Sequence, residues 1–158
     1  MGPVAVTFYL IAYFVMTLGA FGVITVLSSP QREAGQIDDY RGLFWRRPWL
    51  GGAFTAMLLS LAGIPLTVGF IGKFYLVAAG VSASLWLPVV VLALTSGIGL
   101  FYYLRVVVAI FARPPQAAPP TAALPLAGGL TLAGLTVMLV WLGLLPSPLL
   151  EFIRHIVV

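Results

Sequence analysis

The chain has 158 residues, 61% hydrophobic and 8% charged, with a formal net charge of +4, against roughly 45–50% apolar and about 25% charged in an average soluble domain. Twelve charged side chains, seven of them between Arg32 and Arg47, cannot cover the surface of a soluble fold. The lack of cysteine excludes disulfides, thiolate metal sites, iron–sulfur ligation and a cysteine nucleophile within the chain, and arginines set beside apolar runs argue membrane orientation over nucleic-acid binding.

What remains is apolar runs of about 20 residues or more, the length that crosses a hydrocarbon core about 30 Å thick. The pattern predicts an all-α, polytopic membrane helix bundle of four transmembrane helices, the second one broken. The first span, about 4–27, carries no charge and includes Gly19 and Gly22, which membrane helices tolerate. It lacks a basic n-region and is too long for a signal-peptide core, so it is expected to stay in the mature protein. A polar loop, Ser28 to Arg47, follows.

The second run, about 48–80, would be about 50 Å long as one straight helix at 1.5 Å per residue, more than the membrane needs. In its middle lies Ala62-Gly63-Ile64-Pro65-Leu66-Thr67-Val68-Gly69, where a proline between glycines removes a backbone donor and weakens the helix. Gly63, Pro65 and Gly69 therefore mark a break between two half-helices. Such a break survives at membrane depth only where it is buried in protein or lines a hydrated cavity, since lipid cannot satisfy the freed backbone groups.

The third span, about 85–112, opens near Pro88, where a missing amide costs nothing. A Pro- and Ala-rich linker, Arg113 to Pro120, leads to the fourth, about 122–145, which Pro146 and Pro148 end. The tail from Leu149 is short and amphipathic. With four spans, the first and third loops share a side and hold five arginines. The positive-inside bias puts those loops in the cytoplasm and both termini on the outer face, with Arg154 as a contrary vote.

Lys73 is the sole lysine and stands just past the break, in Gly69-Phe70-Ile71-Gly72-Lys73-Phe74. Inserting an ammonium near the centre of a helix costs at least about 2.5–3.5 kcal/mol on the translocon scale, so such a lysine faces a cavity or a partner by default. A lysine held in low dielectric gives up and regains its proton at modest cost, as a relay requires. The alternative is that Lys73 lies nearer the outer leaflet and snorkels to water. No Asp or Glu occurs in the four spans, so a carboxylate partner must come from outside them.

Tyr9, Tyr13 and Thr17 recur at spacing four on the first span, and Ser96, Gly99 and Tyr103 form a similar stripe on the third. Interhelical hydrogen bonding and small-residue packing explain both stripes; a hydrated interior is the alternative. Arg105 anchors the cytoplasmic end of the third span or caps an exit path, His155 is an interfacial side chain, and Asp38 and Asp39 belong to a solvated or partner-facing loop. Trp45, Trp49, Trp86 and Trp141 suit an aromatic belt. There is no metal-ligand spacing, phosphate loop or paired intramembrane carboxylate.

Tyr13 to Gly22 (YFVMTLGAFG), Asp39 to Leu43 (DYRGL), Ser60 to Tyr75 (SLAGIPLTVGFIGKFY) and Tyr102 to Val106 (YYLRV) closely resemble, in order, the C-terminal part of the subunit N family of bacterial NADH-quinone oxidoreductase, respiratory complex I. The resemblance implies that the four spans correspond to the last four helices of an antiporter-like subunit. It implies that the broken helix carries a lysine used in proton translocation, which falls on Lys73. It further implies a bacterial plasma-membrane location, both termini outside, and other membrane subunits of the complex and the lipid bilayer as partners. No cofactor is then expected in this chain, because NADH, FMN, iron–sulfur clusters and quinone are bound by other subunits. Subunits L and M and Mrp-type cation/proton antiporters share the broken helix. An Mrp-type fragment is the alternative; the lysine at position 73, where subunit M typically has glutamate, favours subunit N.

Overall fold

The first helix, α1 (Gly2–Leu27), is the axis on which the others assemble. In the computed structural model, which describes residues 2–28, 34–113 and 126–157, its buried residues are Ala5, Phe8, Ala12, Val15, Met16, Gly19, Ala20 and Val23. They recur at steps of three and four, which places them on one stripe of the helix. Small residues in that stripe let neighbouring backbones come close, the packing that membrane helices favour. Helices α3 (Pro48–Ala62), α4 (Val68–Ser82), α6 (Leu126–Leu144) and α7 (Ser147–Val157) all lie against α1.

Where the sequence suggested only a polar loop up to Arg47, the structure has a 3-10 turn at Ile37–Tyr40 and a short helix, α2 (Leu43–Arg46). Residues 29–33 of that loop lie outside the described residues. Its apolar side chains drive the folding: Tyr40 and Leu43 are buried, and the Tyr40 hydroxyl donates to the Ala34 carbonyl. The segment is tied to the end of α5 (Trp86–Phe111) by Gly42 N–H on the Ala109 carbonyl at 3.0 Å and by the Trp45 indole on the Phe111 carbonyl at 3.0 Å. Four-residue elements are too short to show a hydrophobic period, so only tertiary contacts reveal them.

Among the described residues there are helices and turns and no strand. Three helices, α1, α5 and α6, are long and apolar enough to cross a membrane. Helices α3 and α4 have 15 residues each, about 22 Å at 1.5 Å per residue, which falls short of a bilayer core taken singly. Helix α5 packs on α2, α3 and α4 yet buries only Ile110, leaving an apolar outer surface that includes Leu87, Leu94, Ile98, Phe101 and Val108. Helix α6 ends at Leu144, just before Pro146. Helix α7 is amphipathic: Leu150 and Ile153 are buried, whereas Glu151, Arg154 and His155 are exposed.

Candidate functional site at the helix break

The predicted interruption lies between Ala62 and Val68, and several of the backbone groups freed there find partners within the chain. Gly63 closes α3 at φ 81°, a left-handed conformation that glycine adopts without a Cβ penalty. Its N–H reaches the Ser60 carbonyl at 3.0 Å while Ile64 N–H reaches the Leu59 carbonyl at 3.1 Å, the paired bonds of a Schellman motif. The chain then turns, with Thr67 N–H on the Ile64 carbonyl at 3.2 Å. Pro65 in the second position and Leu66 at φ 75° in the third make the type II pattern. That third position ordinarily holds glycine; the left-handed conformation costs another residue roughly 1–2 kcal/mol.

The last two carbonyls of α3 belong to Leu61 and Ala62, and Lys73 covers both. Its Nζ donates to the Leu61 carbonyl at 2.9 Å and to the Ala62 carbonyl at 3.3 Å. A cation at a helix C-terminus also meets the negative end of the macrodipole. Lys73 is partly buried and caps the first half-helix. In return α3 caps α4. The Ser60 hydroxyl accepts Gly69 N–H at 3.1 Å, and the Thr67 hydroxyl accepts Phe70 N–H at 3.3 Å, satisfying two donors that a helix start leaves open. The two half-helices thus satisfy one another's ends.

Gly69 is required by this crossing, because a Cβ there would overlap the Ser60 carbonyl. The sequence marks Gly63 and Gly69 as bounds of the break; Gly63 ends α3, whereas Gly69 lies in the first turn of α4, where its missing Cβ allows the two half-helices to cross. Pro65 is exposed and starts the turn. Ser60 and Thr67 were not singled out from the sequence. Their signal was there: two hydroxyl residues flanking a break inside an otherwise apolar run.

On its other side Lys73 borders a cavity of about 130 Å³. Tyr9 and Tyr13 of α1 and Thr95, Ser96, Gly99 and Tyr103 of α5 line it, with Leu61 and Leu92. The two polar stripes therefore converge on the lysine instead of packing on separate neighbours. Thr17, a member of the first stripe, is not among the lining residues, and its hydroxyl is buried without a hydrogen-bond partner. A space of this size exceeds the roughly 30 Å³ share of one water in the liquid and has polar groups to hold several. Arg105 is exposed on α5 and is not part of this lining. No group of three or more His, Asp or Glu able to hold a metal occurs among the described residues.

Residues 1–99 match the family model described as NADH:quinone oxidoreductase/Mrp antiporter, TM. NADH-quinone oxidoreductase subunit N of Nitrosospira multiformis is 52% identical, the match taking in 84% of this chain and 30% of that protein. The same subunit of Chromohalobacter salexigens is 50% identical over 94% of this chain and 32% of the relative. The chain thus spans about a third of the length of these relatives. Among solved structures, respiratory complex I from Thermus thermophilus with bound aureothin contains a chain that superposes with a TM-score of 0.81 at 36% identity, covering 94% of this chain and 34% of that one. The Mrp complex from Dietzia sp. DQ12-45-1b gives 0.76 at 22% identity, over 97% of this chain and 36% of that one, a likeness of fold alone. The match across α1, α3, α4 and the first half of α5 takes in both half-helices, the break and Lys73, and on that ground the chain belongs to the NADH:quinone oxidoreductase/Mrp antiporter transmembrane family.

Proposed function

We propose that residues 1–158 form the C-terminal part of a proton-translocating membrane subunit of a bacterial NADH-quinone oxidoreductase, with Lys73 as a protonatable relay. The observation that carries the reading is the position of the Lys73 ammonium, between the open carbonyls of a broken helix and a cavity lined by phenols and hydroxyls. A lysine so placed has fixed acceptors in one direction and room for water in the other, so its proton can leave towards the cavity and be replaced from it. Relatives named subunit N at about half identity support the choice of complex.

In this reading α3 and α4 together make one broken span, so the chain crosses the bilayer four times, at about 4–27, 48–80, 85–112 and 122–145. The arginine-bearing loops face the cytoplasm and both termini face outward. The subunit sits in the plasma membrane among the other membrane subunits of the complex. NADH oxidation, FMN, the iron–sulfur clusters and quinone reduction belong to other subunits, and this segment contributes a step of proton transfer. Gly63, Pro65 and Gly69 hold the break open to Lys73.

The test is Lys73→Ala in the full-length subunit, assembled in its native membrane. Protons translocated per electron from NADH are expected to fall while NADH-dependent quinone reduction persists. An unchanged ratio in a fully assembled complex overturns the relay.

A further inference from the structure

Ser60 lies at the point where the two half-helices cross, and it is fully buried, 0% exposed. Its hydroxyl accepts Gly69 N–H at 3.1 Å, and Gly69 carries no Cβ to push the Ser60 carbonyl away. The Lys73 acceptors, Leu61 and Ala62, are the next two residues after Ser60, and Lys73 is four residues after Gly69, one helical turn further on. The Ser60–Gly69 bond therefore ties the backbone that supplies the acceptors to the turn that presents the ammonium. Sliding or rotating α4 against α3 would break this bond and the two lysine bonds together. The Lys73 bonds to the Leu61 and Ala62 carbonyls also join the two half-helices, whereas Thr67 caps α4 from its own connecting turn.

We propose that Ser60 is a positioning residue for Lys73, setting the distance between the lysine ammonium and the α3 carbonyls and so the readiness with which the lysine exchanges its proton. The inference rests on the relay reading above. Ser60 neither touches the cavity nor exchanges a proton itself; it acts through the register of α4. One neutral hydrogen bond biases such a register by roughly 2- to 10-fold. The same factor on a proton-binding constant displaces its midpoint by about 0.3–1 pH unit.

The experiment compares Ser60→Ala, Ser60→Thr and Lys73→Ala in the full-length subunit of the assembled complex, in native membrane vesicles. Proton translocation per electron and its dependence on pH are measured beside NADH-quinone reductase activity and the amount of assembled complex. Ser60→Ala is expected to assemble, to reduce quinone, to translocate fewer protons per electron and to show a displaced pH profile. Ser60→Thr, which keeps the acceptor oxygen, is expected to restore both. If Ser60→Ala leaves the ratio and the profile unchanged while Lys73→Ala lowers the ratio, the positioning role is wrong and the relay stands. If Lys73→Ala changes nothing, the relay fails and the positioning role with it. Failure of both Ser60 variants to assemble makes Ser60 a structural clamp and overturns the proposal, as does a Ser60→Thr complex that assembles but behaves like Ser60→Ala.

Discussion

Gly63 faces the Lys73 side chain at such short range that a Cβ on it would lie 3.2 Å from both Nζ and Cδ. The glycine that ends α3 is therefore also one wall of the space in which the lysine sits. Two demands fall on one residue: a left-handed backbone at φ 81°, and no side chain beneath the ammonium. Break and lysine site are one piece of architecture, since the conformation that terminates the helix exposes the carbonyls that Lys73 then covers.

Gly63→Ala consequently carries a double penalty. The left-handed conformation costs a non-glycine residue roughly 1–2 kcal/mol, and the new methyl group presses on the lysine. The expected outcome in the full subunit is an assembled but less heat-stable complex, with proton translocation per electron reduced more than quinone reduction. Parallel measurement of the two rates and of thermal inactivation checks it. Equal loss of both rates would mean that the glycine serves folding alone.

Replacing Lys73 with arginine separates capping from proton exchange. Arginine keeps a positive charge and donors for the Leu61 and Ala62 carbonyls, yet it stays protonated under all ordinary conditions. Lys73→Arg is expected to assemble at levels above Lys73→Met, which leaves two helix-end carbonyls without their donor, while both variants lose proton translocation. Translocation by Lys73→Arg at the wild-type ratio would show that a fixed charge suffices and that no proton passes through residue 73.

Much of this arrangement could be read from the residues themselves. The break was legible because Gly63, Pro65 and Gly69 interrupt a run too long for one span, and Lys73 because a lone lysine in an apolar segment is costly. What the sequence could not decide was where Tyr9, Tyr13, Ser96 and Tyr103 point. Packing stripe and cavity lining have the same spacing along a helix, and only the placement of α1 and α5 on either side of Lys73 distinguishes them. The interhelical capping by Ser60 was hidden for a similar reason: its partner is nine residues away, across a turn. The folded segment at 34–47 is hidden in the sequence because its order comes from contacts with α3 and α5 and not from any period of its own.

Leu66 gives a prediction at the turn. It occupies the left-handed position of a type II turn at φ 75° and is 88% exposed, so its side chain contributes little packing within the chain to offset the backbone cost. Leu66→Gly removes that cost but adds unfolded-state entropy, and the two nearly cancel. Leu66→Ile, branched at Cβ, is a poorer fit to positive φ and is expected to destabilise by about 1 kcal/mol or more beyond leucine. Thermal inactivation of the assembled complex should rank glycine at or above wild type and isoleucine below it; the reverse order would show that side-chain contacts beyond this chain dominate at residue 66.

Tyr40 gives a pH dependence outside the spans. Its hydroxyl is buried and donates to the Ala34 carbonyl, and burial, with the Asp39 carboxylate adding to it, raises its pKa above the ordinary 10.0. The sign follows from the neutral form being favoured in the folded state. The contribution is complete below the unfolded pKa of about 10 and is lost as pH rises through the higher folded value. Tyr40 therefore stabilises the loop equally at pH 6 and pH 8 and becomes a liability only in strong alkali. Tyr40→Phe leaves the Ala34 carbonyl without this donor and is expected to cost about 1 kcal/mol at neutral pH, while removing this alkaline sensitivity. Protease resistance of the 34–47 segment, followed from pH 7 to pH 11 in both proteins, checks it: the deficit of the variant should shrink above pH 10, and the absence of any deficit would mean that Tyr40 acts through ring packing against Phe54 alone, since phenylalanine keeps the ring.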